Sequence, residues 1–179
     1  MQRILVMGSS GSGKSTFARR LSEITGIPTV SLDALFWKPG WVASHTEEFR
    51  ERVIEAVDQP CWIMDGNYPS NGAAELRRQR SDTVIWFDLP RFACMLGILK
   101  RIAGSYGRVR PEMAEGCPEK IDLEFFRYVW TYRERQRPKL VRYFEGLRPD
   151  QSFVCFTARA EADRYLSELA LGTKPVGIY

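Results

Sequence analysis

Residues Gly8-Ser9-Ser10-Gly11-Ser12-Gly13-Lys14-Ser15 satisfy the spacing G-x-x-x-x-G-K-[ST] in full. Such a loop suits one kind of chemistry. Its glycines let the backbone curl until several N–H groups converge on phosphate oxygens, and the dipole of the helix that follows adds to that field. Lys14 is placed to reach the outer phosphates of a triphosphate, and the Ser15 hydroxyl to ligate Mg²⁺. The expected cradle is Gly8, Gly11, Ser12, Gly13, Lys14, Ser15 and Thr16, and the expected ligand is ATP with Mg²⁺.

Two aspartates follow short apolar runs, Asp33 after 29–32 and Asp65 after 61–64. In an open parallel sheet, ligands collect at the carboxyl ends of the strands, so both carboxylates are expected to face the phosphate loop's cleft. Asp65 would hold Mg²⁺ through water, and Asp33 would orient or deprotonate an acceptor hydroxyl. The same positions also suit an Asx turn or a helix cap. Residues 36–41, Phe-Trp-Lys-Pro-Gly-Trp, are aromatic where a surface loop should be polar. They read either as a substrate wall that includes Trp37 or as a small satellite core under the loop. His45 reads as a solvated or capping residue. Further along, Arg101, Arg108, Arg110, Arg127, Arg133, Arg135 and Arg137 offer cations to neutralise a phosphoryl group in transfer. Arg133, Arg135 and Arg137 alternate and cannot share one helix face. A solvated charged surface accounts for part of the set.

These residues need a frame to position them. Short apolar runs alternate with longer amphipathic ones, which is an α/β signature. Strands are expected at 3–7, 29–32, 61–64, Thr83–Phe87 and Ser152–Phe156. After Lys14, Phe17, Leu21 and Ile24 share a helical face that Gly26-Ile27-Pro28 ends. Ser44-His45-Thr46-Glu47 fits a capping box opening a helix that buries Phe49, Val53 and Val57. Pro90 suits a helix start, and Ala162, Leu166 and Leu169 mark a last short helix. Between the fourth and fifth strands lie a Gly/Pro-rich loop, 104–118, and a helical pattern, 119–147, that Pro138 should break or kink. Such an insertion above a nucleotide-binding sheet suits a lid. The expected organisation is one domain over 1–171 with 104–147 as the lid, and a loose tail at 172–179.

A chain of 179 residues can bury one sizeable core. With 44% apolar and 27% charged residues, disorder is excluded. The longest charge-free run, ten residues at 4–13, is far too short to span a membrane, and the start carries no signal-peptide pattern. One histidine and four cysteines at least 23 residues apart exclude a C-x-x-C pair and a His-based triad. Cys61 and Cys155 read as core strand residues, while Cys94 and Cys117 show no pairing pattern. A cytoplasmic setting with no membrane partner is expected. Of 26 cations, 20 are arginine, and residues 100–148 carry net +5 where the whole chain carries +4. Arginine grips phosphate bidentately, so phosphate-bearing partners lead. A pI near 9.0 also permits nucleic acid, although no DNA- or RNA-recognition motif occurs. No guanine-reading N-K-x-D motif occurs either.

In four blocks the chain resembles the adenylate-kinase-like nucleoside monophosphate kinases. These are the phosphate loop, Trp62-Ile63-Met64-Asp65-Gly66, Val84-Ile85-Trp86-Phe87-Asp88-Leu89-Pro90 with its following helix, and the arginine-rich insertion. Asp33-Ala-Leu-Phe-Trp-Lys-Pro-Gly-Trp41, Asp65-Gly-Asn-Tyr68 and Arg110-Pro-Glu-Met-Ala-Glu-Gly-Cys-Pro118 are most similar to the bacterial topology modulation proteins. The resemblance covers residues 2–170. It implies a three-layer P-loop NTPase fold, an α/β architecture whose five-stranded parallel sheet has the order 2-3-1-4-5, with a helical arginine-rich lid. It also implies an ATP-dependent kinase, with Arg101 and Arg108 at the lid base against ATP and Arg159 beside the adenine. The chain departs from adenylate kinases at Asp65-Gly66-Asn67-Tyr68-Pro69-Ser70, where they read Asp-Gly-Phe-Pro-Arg. The arginine that grips a monophosphate is absent there, as is their Thr-Gly-Asp pattern, which speaks against AMP as acceptor. The expected catalytic set is Lys14, Asp33, Arg101, Arg108 and Arg137. The acceptor side is Asp33, Trp37, Asp65 and Asn67, and the metal ligands are Ser15 and Asp65. The function expected is transfer of the ATP γ-phosphoryl group to a small acceptor, a nucleotide or another hydroxyl compound. The alternative is a nucleic-acid-associated ATPase or regulator of DNA topology.

Overall fold

Within the strand Arg3–Gly8, residues 4–7 are apolar because they are buried on both sides: Ile4 and Val6 enter one core, Leu5 and Met7 the other. The fold is described by a computed structural model over residues 1–69 and 71–172. In chain order the elements are β1 (Arg3–Gly8), α1 (Lys14–Thr25), β2 (Thr29–Ser31), α2 (Leu32–Phe36), β3 (Trp37–Lys38), β4 (Val42–Ala43), α3 (Thr46–Val57) and β5 (Trp62–Asp65). There follow α4 (Ala74–Arg80), β6 (Thr83–Phe87), α5 (Arg91–Ser105), α6 (Leu123–Arg135), α7 (Arg137–Glu145), β7 (Ser152–Phe156) and α8 (Arg159–Ala170).

Five strands form one parallel sheet, β2-β5-β1-β6-β7. Counting only strands of that sheet, the order is 2-3-1-4-5, as the resemblance implies. Helices α1, α5 and α8 cover one face through Phe17, Leu21, Cys94, Ile98, Ala162 and Leu166. On the other face, α3 and α7 pack Phe49, Val53, Val57, Leu140 and Tyr143. The register aligns the strand exits, pairing Ser31 with Asp65, Val6 with Asp65, and Gly8 with Phe87. Everything that follows β1, β2 and β5 therefore opens onto one edge of the sheet.

Several local expectations are corrected. The second strand stops at Ser31, whose hydroxyl accepts from the Ala34 N–H at 3.3 Å and caps α2. Asp33 thus sits in the first turn of a helix rather than at a strand exit. No capping box forms at Ser44; His45 occupies the cap position of α3 without a side-chain bond, and the Ser44 hydroxyl accepts from Arg52 at 3.4 Å. Phe49, Val53 and Val57 are nonetheless fully buried, as their spacing requires. Ile24 is exposed, and Ala18 joins Phe17 and Leu21 in the core instead. Cys61 precedes β5 and, like Cys155, is half-buried, whereas Cys94 and Cys117 are buried; all four are free.

Beyond α5, the 119–147 pattern resolves into two helices. Asp122 caps α6, its carboxylate accepting from the Phe125 N–H at 3.0 Å. The break falls at Gln136, so Pro138 sits in the first turn of α7, where its missing N–H costs nothing. Val129, Tyr132, Leu140 and Tyr143 are buried in the two cores, so both helices are fastened to the body. Helix α4 and the hairpin β3–β4 carry no signal noted in the sequence. Of the expected tail, residues 173–179 lie outside the described residues.

Candidate active site

The turn between β1 and α1 is a curled cradle. Gly11 and Gly13 adopt φ of +75° and +104°, a region that favours glycine. A Cβ at Gly11 would overlap the Cys94 carbonyl oxygen, and one at Gly97 would overlap the Gly11 carbonyl oxygen. The loop therefore lies directly on α5. Arg159, the first residue of α8, clamps that contact: its Nη2 donates to the carbonyls of Gly11 (2.6 Å) and Ala93 (2.8 Å), and its Nε to that of Ser12 (3.2 Å). Asn67, just past β5, holds the loop's first residue through both backbone groups of Gly8. The Ser12 hydroxyl is buried in this loop without a hydrogen-bond partner, a donor that a ligand oxygen could satisfy.

Lys14 and Asp65 meet inside this cradle, Nζ to Oδ1 at 3.8 Å, both buried. Asp65 Oδ1 has no hydrogen-bond partner. Burial raises the Asp65 carboxyl above its usual range; Lys14 and the Ser15 hydroxyl oppose this, while Asp33 and Glu112 add to it. A buried carboxylate beside a serine hydroxyl is a donor set that fits Mg²⁺. Among the described residues no cluster of three or more His, Cys, Asp or Glu is poised for a metal, so such an ion would depend on the phosphates.

Asp33 faces the same cavity. Its Oδ1 accepts from the Tyr68 hydroxyl at 2.8 Å, and burial with the neighbouring carboxylate pushes the Tyr68 phenol up. Tyr68 holds a left-handed φ of +40°, and Arg77 pins it. This fully buried arginine donates from Nη2 to the Tyr68 carbonyl (2.7 Å) and from Nε to that of Gly72 (2.9 Å). Trp37 and Trp41 stand edge to face, ring centres 5.5 Å apart. Their hairpin is stitched to the 104–118 loop by Gly40 N–H to the Gly116 carbonyl (2.9 Å) and Trp41 Nε1 to that of Pro118 (3.1 Å). The aromatic segment divides between core and cavity. Phe36 packs on Phe49 and Tyr68 as core, while Trp37 and Trp41 line the cavity.

The cavity holds about 1110 Å³ and runs from the cradle to this aromatic wall. At its roof, Glu119 is buried between two arginines, Oε1 to Arg101 Nη2 at 2.8 Å and Oε2 to Arg110 Nε at 2.9 Å. Arg110 also pairs with Glu112 at 2.7 Å, and Arg101 lies 5.4 Å over the Phe125 ring.

No protein-family model and no curated protein matches the chain. Solved structures do. A shikimate kinase from Bacteroides thetaiotaomicron aligns over 94% of this chain and 96% of its own, with a TM-score of 0.58 at 16% identity. A sugar kinase from Janibacter sp. HTCC2649 aligns over 98% and 96%, TM-score 0.53, 18% identity. A shikimate kinase from Aquifex aeolicus aligns over 95% and 94%, TM-score 0.51, 15% identity. The chain has a P-loop kinase fold.

Within this P-loop kinase fold the expected residues divide. Gly11, Ser12, Gly13, Lys14, Ser15, Thr16, Asp33, Trp37, Asn67, Arg101 and Arg159 line one cavity, with Asp65 in contact with Lys14. Gly8 is held at its edge by Asn67. Arg108 is exposed and away from the lining. Arg137 lies outside it too, paired with Asp88 at 2.8 Å and 5.2 Å over Trp86. Arg110 lines the cavity instead. Arg127, Arg133 and Arg135 are exposed. Arg159 spends its donors on the loop's own carbonyls, which makes it a buttress of the cradle. Sequence reasoning missed Tyr68, Arg77 and Gly97. Of these, only Gly97 left a trace: a lone glycine inside a helical pattern points to a close packing neighbour.

Proposed function

We propose that this protein transfers the γ-phosphoryl group of ATP to a hydroxyl of a small acceptor. The observation that carries the reading is the shared cavity: Lys14, ion-paired with the buried Asp65, and the Tyr68-held Asp33 both line it. Backbone amides of the P-loop and Lys14 bind the triphosphate and neutralise charge spread over the transferring group. Ser15, and Asp65 through water, would hold Mg²⁺, which when bound would supply further neutralisation of the phosphate oxygens. Asp33 orients the acceptor hydroxyl and takes its proton. The Tyr68 hydrogen bond occupies one of its oxygens and leaves the other to the acceptor. Arg101 and Arg110 supply positive charge from above.

The closing element of this reading lies within the expected lid, in the loop joining α5 to α6. Because the Trp37–Trp41 hairpin is stitched to that loop, closure would carry the aromatic wall with it and exclude water from the transfer. The test is acceptor-dependent ADP formation across nucleosides, nucleoside monophosphates and hydroxylated metabolites. Transfer to none of them, with only slow Lys14-dependent ATP hydrolysis, would contradict the reading.

A further inference from the structure

The outer faces of α5 and α6 are apolar where a surface should be polar. Among the described residues, most of the exposed large apolar side chains fall between Phe92 and Trp130. At helical spacing the exposed stripe on α5 is Phe92, Leu96, Leu99 and Ala103, and on α6 it is Leu123, Arg127, Trp130 and Glu134. Phe92 is 70% exposed and Leu123 80%. The two stripes lie abreast and run in opposite directions. Phe92 meets Trp130 edge to face, ring centres 5.3 Å apart, and further along Arg101 lies over the Phe125 ring. The five large apolar side chains expose on the order of 500 Å² together, near the top of the range for a monomer's largest patch. Helix α5 is fixed by its other side, where Cys94 and Ile98 enter the core and Gly97 packs on the P-loop. The face therefore stays turned outward.

Charge decides what covers it. Glu134 is answered by Arg91 within the chain, and Lys100 lines the cavity. That leaves Arg127 within the stripe and Glu124 at its border, both exposed and, among the described residues, in no ion pair. The phosphates of a lipid or nucleic-acid surface would repel Glu124 as they attracted Arg127. A second copy of the same face answers both. We propose that the protein forms a two-fold dimer through α5 and α6. An axis that crosses α6 between Glu124 and Arg127 crosses α5 between Leu96 and Leu99, because the Phe92–Trp130 and Arg101–Phe125 contacts fix how the helices lie abreast. About that axis Arg127 of each copy meets Glu124 of the other, Leu96 meets Leu99, and Phe92 meets the small Ala103. With its polar border such a face reaches roughly the 800 Å² per partner of a standard interface. The dimer is independent of the kinase reading, and it would brace the helix on which the P-loop rests.

The test is the mass of the full chain by sedimentation equilibrium from about 0.1 to about 100 μM, with a dimer of micromolar Kd expected. Leu99→Ser, at an outward position, leaves the core untouched and should weaken the dimer by at least about tenfold. Glu124→Arg or Arg127→Glu alone sets like charges together at two symmetric places and should weaken it by about tenfold or more. The two reversals combined restore both pairs and should bring Kd back to within about threefold of wild type. Circular dichroism and the melting temperature check that each variant is folded. A chain that stays monomeric at about 100 μM would overturn the inference. Sedimentation of that monomer with phosphatidylserine vesicles would then assign the face to lipid. A dimer that Leu99→Ser leaves intact, or a combined reversal no tighter than either single one, would overturn it as well. Acceptor-dependent ADP formation by a monomer would leave the kinase reading standing.

Discussion

The Asn67 carboxamide meets both backbone groups of Gly8, accepting from its N–H and donating to its C=O, each at 2.8 Å. The same Nδ2 reaches the Tyr132 hydroxyl at 3.1 Å. One side chain thereby fastens the exit of β5 to the first residue of the P-loop and to α6. Asn67→Asp keeps the shape but loses the donor, leaving a carboxylate against a carbonyl oxygen. The expected cost is about 1–3 kcal/mol in urea unfolding, with weaker binding of an ATP analogue by calorimetry. Wild-type stability and affinity in this variant would show that the bond does not position the loop.

Gly97→Ala places a methyl group on the Gly11 carbonyl oxygen and beside the Arg159 guanidinium. Either α5 or the P-loop must move, so ATP-analogue affinity should fall by at least about tenfold while the helix still forms. Gly104→Ala, in the last turn of α5, meets nothing within 4 Å and is expected to stabilise by about 0.5–1 kcal/mol. Equal effects at the two glycines would refute the contact.

Glu119 is the shared anion of Arg101 and Arg110. Burial, with the charge of Arg110 beside it, lowers the Arg101 guanidinium below its usual range, and Glu119 opposes that. Removing one partner of such a buried pair costs about 3 kcal/mol. Glu119→Gln should therefore speed limited proteolysis of the α5–α6 loop, and a triphosphate analogue should restore protection by supplying the missing anion. An unchanged cleavage rate with and without the analogue would show that the arginines do not answer to phosphate.

Much of the fold was legible because parallel strands buried on both faces read as bare apolar runs, as residues 4–7 and 84–87 do. The P-loop was legible because its chemistry dictates its spacing. Asp33 was placed one element too early, since Ser31 ends the strand by capping a five-residue helix. The choice among arginines could not be read from spacing. Arg108 and Arg110 differ in sequence by two positions, yet one faces solvent and the other pairs with two carboxylates. Arg77 escaped notice because a charged residue in a polar run reads as surface, and only the turn it holds explains its burial.

Tyr143 is buried, and its phenol is pushed up to about 12 by that burial. Burial raises Tyr132 in the same direction. In the unfolded chain these phenols ionise near pH 10. The folded pKa is the higher one, so the stabilisation is complete below pH 10 and is lost as the pH climbs towards 12. Ultraviolet titration should show native phenolates forming later than denatured ones, and the melting temperature should drop over that window. Superimposable native and denatured titrations would contradict the burial of these hydroxyls.

The central claim is that Asp33 handles the acceptor while Lys14 and Asp65 handle the triphosphate. Steady-state ADP formation at saturating Mg–ATP, with and without acceptor, for wild type and Asp33→Asn tests it most directly. The account predicts acceptor-dependent turnover in the wild type and a fall of about 10²–10⁴ in kcat for the variant, with ATP-analogue affinity retained. Acceptor-independent ADP formation in the wild type, or an Asp33→Asn variant that turns over at the wild-type rate, would contradict it.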